Sequence, residues 1–259
     1  LGLEGNLGVE YYFNTEMGGQ IAGRSIELFI EDTAADPTMG LNKAKKLIER
    51  DNVDIILGPL DTPVGFAVRD YVQDQGVPWV LHVGAGWSPW DLNERGPYSF
   101  AVAPTNPQSH FAMAEYAYDV MGYRSMITSA LDYAPGHEIA DGFNMAFEAK
   151  GGEIVDTILI PLGAADTAPY IAQMLQQANK ADAVNAMLWA PAAIGFVNEG
   201  RELGLFDAID VMGFHTLTPD LLDLEEEGEN ALGITTYYWY MLYNDLPANQ
   251  EWVEAYTAA

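Results

Sequence analysis

The stretch Gly19-Gln20-Ile21-Ala22-Gly23-Arg24-Ser25-Ile26-Glu27-Leu28-Phe29-Ile30-Glu31-Asp32-Thr33-Ala34-Ala35-Asp36-Pro37 constrains the fold more than any other part of the chain. A glycine-rich turn, permissive in its backbone angles, runs into an apolar run that reads as a strand. That run stops at acidic residues, and Asp36-Pro37 then opens a helix. Asp suits the N-cap, where its carboxylate accepts a backbone N–H, and Pro suits the first helical position, where no N–H is needed.

The same alternation continues through the chain. Val53-Asp54-Ile55-Ile56-Leu57-Gly58 and Val77-Pro78-Trp79-Val80-Leu81-His82-Val83 read as buried strands. Between them Ala67, Val68, Tyr71 and Val72 recur at helical spacing before a stop at Gly76. Leu41, Ala44, Leu47 and Ile48 form the apolar stripe of the helix begun at Asp36-Pro37. Further strands are expected at Ser125 to Ser129, Ile154 to Ile160, Ala183 to Leu188 and Val211 to Phe214, with helices after Pro107, Gly136, Thr167 and Ala192. Strands alternating with helices argue for an α/β fold with parallel sheets made of βαβ units.

With 259 residues, 49% of them hydrophobic and 12% aromatic, the chain can bury two cores. The Pro-containing segment Tyr98 to Pro107 separates two series of βα units and reads as a crossover; Gly233 to Asn244 is a second. The expected lobes are residues 1–104 plus 242–259, and residues 105–241. The run Asp223-Leu224-Glu225-Glu226-Glu227-Gly228-Glu229 reads as a solvated loop. No apolar run approaches the roughly 20 residues needed to span a bilayer, so no membrane insertion is expected. The chain opens directly into folded-looking sequence with no signal peptide in view, which is compatible with a processed chain and does not argue for the cytoplasm.

Charge excludes whole classes of partner. Against 38 acidic residues stand 11 basic ones, a formal −27 at pH 7. Such a field repels phosphate backbones and anionic membrane surfaces, so nucleic acid is not an expected partner. With no cysteine, the chain has neither disulfides nor a thiolate metal site.

Several motifs recur in a fixed order. Gly19-Gln20-Ile21, Gly23-Arg24 and Ile26-Glu27-Leu28 are followed by Asp36-Pro37, by Lys46-Leu47-Ile48-Glu49-Arg50-Asp51-Asn52-Val53-Asp54, and by Gly58-Pro59. Then come Asp132-Tyr133-Ala134-Pro135-Gly136, Phe147-Glu148-Ala149-Lys150-Gly151-Gly152-Glu153-Ile154-Val155, Pro161-Leu162-Gly163 with Asp166, Glu202-Leu203-Gly204, and Pro247-Ala248-Asn249. In this order the chain resembles the type I periplasmic solute-binding proteins of ABC transporters, the Leu/Ile/Val-binding family. The resemblance implies two Rossmann-like lobes with parallel sheets joined by a hinge, closing over a small molecule in the interlobe cleft. It also implies an ABC permease as partner, a periplasmic or extracellular location, and no catalysis. Relative to that pattern the opening strand is absent and the first lobe is incomplete. A hinge arginine of the family is Ala101 here.

The resemblance also implies which residues meet ligand, on loops at the carboxyl ends of strands. In Gly58 to Val64, Thr62 matches the region of the family's ligand-binding Ser/Thr, and Asp61 stands beside it; either residue also suits a helix cap. In His82 to Trp90, Val83, Gly84 and Ala85 fall at ligand-facing positions, with His82 at the loop's start. Trp87 in the same loop can wall the pocket or pack beneath it. Tyr133 matches a ligand-touching tyrosine, while Trp189 and His215 occupy loops after later strands. His215 stands where amino-acid binders often carry an acid that neutralises the ligand ammonium. A buried ammonium lacking a carboxylate costs several kcal/mol. The expected ligand is therefore a small organic, even aromatic, carboxylate, with a branched-chain amino acid as the alternative cargo and a ligand-sensing receptor domain as the alternative role.

Enzyme signatures are weak. There is no G-x-S-x-G elbow among the six serines. His137-Glu138-Ile139-Ala140-Asp141 places possible ligands four apart on a helix but lacks the second histidine of a zinc motif. No metal and no cofactor are expected. Only five lysines balance the acidic excess, a composition that reads as adaptation to high salt, where counter-ions screen self-repulsion. The melting temperature is therefore expected to rise between low and molar salt; a flat profile in a differential scanning experiment would remove this reading.

Overall fold

The computed structural model describes residues 2–82, 96–189, 191–214, 229–237 and 245–258. These residues fall into two compact units, the first within residues 1–83, 95–102 and 240–259 and the second within 103–239.

In the first unit, helix α1 (Gly2–Tyr11) precedes a hairpin of β1 (Gln20–Ile21) and β2 (Arg24–Ser25). The apolar run Ile26 to Ile30 that follows was expected as a strand, but the structure corrects this: it pairs with no strand, and Phe29 and Ile30 are exposed. A strand exists only with a partner, and no described strand lies beside this one. Ion pairs anchor the segment's end instead. Glu31 accepts from Lys43 Nζ at 2.6 Å and from Lys46 Nζ, and Lys46 also reaches Asp51 at 3.0 Å. The hydrogen bond from Lys43, then that from Lys46, holds the Glu31 carboxyl below its ordinary pKa.

Helix α2 (Pro37–Lys45) begins as the sequence requires. Asp36 sits at the N-cap in extended backbone and accepts from the Met39 N–H at 2.6 Å, with Pro in the first turn. It packs on α3 (Thr62–Gln75) so closely that a Cβ on Gly40 would stand 2.2 Å from Val64 Cγ1. Between and after them run β3 (Ile56–Leu57), β4 (Trp79–Leu81) and β5 (Ser99–Ala101), a parallel three-stranded sheet in that order. β5 lies inside the segment expected as a crossover. Ile56, Trp79, Leu81 and Ser99 are buried. On the opposite face Leu57, Val80 and Phe100 form one cross-strand row, and Leu57 and Phe100 are 46% and 52% exposed. The last helix, α9 (Pro247–Ala258), sends Trp252 and Tyr256 against Tyr11, with ring centroids 5.5 and 5.6 Å away.

The second unit is a five-stranded, wholly parallel sheet. Its strands are β6 (Ser125–Asp132), β7 (Glu153–Pro161), β8 (Ala183–Met187), β9 (Asp210–Phe214) and β10 (Thr235–Tyr237), in spatial order β10-β9-β8-β6-β7. Helix α4 (Gln108–Asp119) precedes β6, and α5 (Ala134–Ala149), α6 (Ala168–Gln177), α7 (Pro191–Glu202) and α8 (Leu205–Ala208) run between the strands from β6 to β9. Successive strand side chains point to opposite faces, and each face has its own core. Met126 and Ala130 join Ala114, Phe143 and Phe147 of α4 and α5. Ile127 and Leu131 join Ile171, Met174 and Phe196 of α6 and α7. The central strand β8 is buried along its whole length, and its one polar residue, Asn185, is hydrogen-bonded to the Tyr237 phenol.

At the start of β6, the Asp182 carboxylate accepts from the N–H groups of Arg124 (2.7 Å) and Ser125 (2.9 Å). The Arg124 contact is the larger cause of its lowered pKa. On α5, Phe143 is fully buried and stacks on Phe147 at 5.8 Å. Phe143→Ala is expected to cost about 3–5 kcal/mol, the usual penalty for emptying an aromatic core position. Urea denaturation followed by circular dichroism checks this; a loss under 1 kcal/mol would mean that the core collapses freely around the site.

Candidate functional site

The strand ends of the first unit gather Gly58, Asp61, Thr62 and His82. Gly58 adopts a positive φ of 86° before a cis peptide bond to Pro59, and its carbonyl accepts the indole N–H of Trp79. The ring of His82 stands 3.5 Å from where a Cβ on Gly58 would lie, ordinary van der Waals distance, so it is the positive φ that calls for glycine at residue 58. Asp61 holds the N-cap position of α3 in extended backbone, with Pro63 in the first helical turn. Its carboxyl lies toward the Val64 N–H without closing an ordinary cap bond. Burial pushes the Asp61 carboxyl up, and the Val64 N–H partly offsets that. Thr62 is buried at 3% exposure. Although His82 is exposed by area, the protein around its ring lowers its pKa by desolvation, favouring neutral imidazole.

In the second unit, Tyr133 and Trp189 are brought together. β6 and β8 are parallel neighbours with Ala130 opposite Met187, so the residues just beyond them leave the sheet side by side. Their rings meet edge to face, centroids 5.8 Å apart at 67°. Both are half-buried against the α6–α7 core, and Trp189 also touches the α4–α5 core. Tyr133 holds the position before α5 in extended backbone. The turn there is tight: a Cβ on Gly136 would stand 1.8 Å from the Leu131 carbonyl oxygen, so only glycine lets the helix begin so near the strand.

Beside Tyr133, Asp132 lies 2.8 Å from His137 Nε2. Glu138 accepts from Asn106 Nδ2 at 2.8 Å. His137 and Glu138, the acidic–imidazole run considered for a metal, are thus each engaged with a different neighbour. Among the described residues no three His, Cys, Asp or Glu side chains cluster to hold a metal. Val83, Gly84, Ala85, Trp87 and His215 lie outside the described residues, as does most of the acidic run 223–229. Sequence reasoning passed over the Asp132–His137 pair, for which the five-residue spacing across a strand–helix turn was the available signal. It also passed over His110, which no neighbour in sequence marks.

Among the described residues no helix is long and apolar enough to cross a membrane. A family model described as periplasmic binding protein matches residues 2–259. The chain is 29% identical over 249 residues to a Leu/Ile/Val-binding protein homolog 6 of Brucella melitensis; the match covers 95% of this chain and 62% of that protein. An ABC transporter substrate-binding protein from Sphaerobacter thermophilus superposes with a TM-score of 0.91 at 39% identity, over 98% of this chain and 69% of the other. A solute-binding protein of an ABC transporter from Rhodopseudomonas palustris BisB5, in complex with 3,4-dihydroxybenzoic acid, gives 0.83 at 31% identity, over 98% and 68%. Parallel α/β architecture, strand-end loops and these matches agree: the chain belongs to the type I periplasmic binding proteins, a family of substrate-binding transport proteins.

Proposed function

We propose that the protein is the substrate-binding component of an ABC importer, acts in the periplasm or outside the cell, and binds a small organic carboxylate with an aromatic body. It catalyses no reaction and delivers its cargo to a membrane permease. The observation that carries the ligand class is the Tyr133–Trp189 pair, two amphipathic rings edge to face at adjacent strand ends. A ligand ring packed against such a pair gains about 0.5–1.5 kcal/mol per aromatic contact beyond area burial. The 31% identical neighbour that holds 3,4-dihydroxybenzoic acid supports the same class.

The proposed ligand contacts are Asp61, Thr62 and His82 of the first unit and Tyr133 and Trp189 of the second, together with Val83, Gly84, Ala85, Trp87 and His215. The two lobes are proposed as residues 1–104 with 242–259, and 105–241. An α-amino acid remains the second reading. It is favoured by the carboxyl of Asp61, which can neutralise an ammonium, and by the name of the Brucella relative.

Calorimetric titration with benzoate, 4-hydroxybenzoate, 3,4-dihydroxybenzoate, leucine and valine separates the two. Binding of an aromatic acid is expected, weakened about tenfold or more by Trp189→Ala, consistent with loss of one ring contact and its buried area. Binding of leucine or valine with no aromatic acid bound would overturn the ligand class. Turnover of a bound compound would overturn the role.

A further inference from the structure

His110, in the first turn of α4, has no exposed surface. Its Nδ1 lies 2.8 Å from the Asn106 carbonyl oxygen and 2.9 Å from Ser109 Oγ. The Ser109 hydroxyl itself donates to that carbonyl at 3.0 Å, so an Nδ1–H directed at the carbonyl completes the arrangement. Nε2 is then a bare acceptor, buried and without a hydrogen-bond partner. The ring instead packs edge-on against Phe214 at 4.6 Å and Tyr237 at 5.7 Å.

The position of these contacts gives them consequence. Asn106 belongs to the stretch through which the chain enters the second unit after residue 102. Tyr237 closes β10, shortly before the chain leaves that unit after residue 239. One imidazole thus touches the roots of both passages.

We propose that His110 is an acid-sensitive latch: uncharged, it ties the entry stretch 103–107 to the ends of β9 and β10, and a proton on Nε2 breaks that packing and loosens both passages. A protonated Nε2 would be a charged donor facing two aromatic rings with no acceptor, and an unpaired buried charge is costly. From α5, Glu138 is committed to Asn106 Nδ2. From β10, the phenol of Tyr237 is tied to Asn185 on β8 and is kept neutral by burial, which pushes its pKa up. β9 offers the Phe214 ring, and α4 itself Ser109.

Burial lowers the His110 pKa from the ordinary 6.5 to about 4, against the opposing pull of the Asn106 carbonyl. Below 6.5 the unfolded or opened chain takes up a proton that the latched form refuses until about 4. Stability is therefore fully present above 6.5 and declines as pH falls across that window.

The test compares the protein with His110→Gln by urea denaturation at pH steps from 7.5 to 4.5. Wild type is expected to lose stability more steeply, the difference approaching a tenfold change in folding constant per pH unit within the window. Parallel profiles would overturn the proposal. If the variant does not fold, nitrogen NMR of the wild-type histidine rings decides the matter together with amide exchange. The expected result is an Nδ1–H tautomer that titrates only as protection at 103–110 and 235–237 is lost. A ring that titrates near 6.5 with that protection intact would sink the latch.

Discussion

The parallel pairing of β6 with β8, residue for residue from Met126–Ala183 to Ala130–Met187, is the constraint on which the second unit depends. It places two strands distant in sequence side by side at the sheet's centre, where neither has a water-facing side. Every backbone group there must find a ladder partner, and every side chain a packing partner. Met126 and Ala130 can face α4 and α5 only if Ile127 and Leu131 face α6 and α7, because a one-residue slip would exchange the two sets. The same register delivers Tyr133 and Trp189 to adjacent strand ends. The aromatic pair is thus a consequence of the strand order and of the cores it packs against.

The first unit obeys the same chemistry with a different outcome. Its sheet buries Ile56, Trp79 and Leu81 on one face. On the other face the row Leu57, Val80, Phe100 leaves Leu57 and Phe100 about half exposed. The match spans 62% of the length of the Brucella relative. The strand-end loop beneath the candidate contacts Asp61, Thr62 and His82 nevertheless closes, because it relies on local features: a positive φ at Gly58, the Trp79 indole on its carbonyl, and the start of α3.

What was legible in the sequence follows the range of the interactions that produce it. The helix at Asp36-Pro37 is a local event, decided by one carboxylate and one pyrrolidine ring, and the Asp36–Met39 hydrogen bond is the one those residues imply. The strands at 125–132, 153–161, 183–187 and 210–214 were legible because each carries a short, mostly apolar run, almost wholly buried in β6, β8 and β9 and only partly buried in the edge strand β7. Ile26 to Ile30 carries the same apolar signal and forms no ladder, since pairing depends on a neighbour that the run itself cannot specify. For the site, Tyr133 and Trp189 were legible one at a time. Their contact was not, because it depends on strand order, a property of the whole sheet.

The polar groups of the second unit show how a chain of net charge −27 keeps charge out of its interior. Its fully buried polar side chains, Thr128, Ser129, Thr167, Asn185 and His110, are uncharged or held uncharged. Glu199 accepts both the N–H and the hydroxyl of Thr167. The acidic excess therefore resides on surfaces where solvent and counter-ions screen it. A neutral interior within an anionic shell also bears on selectivity. An anionic ligand approaching this molecule is repelled at long range, so its capture must come from short-range contacts that the shell does not supply. Ring surfaces and backbone N–H groups at strand ends are of that kind: they act over a few ångströms, add no net charge, and discriminate by shape. Such contacts are open to a protein this acidic because they add nothing to its charge.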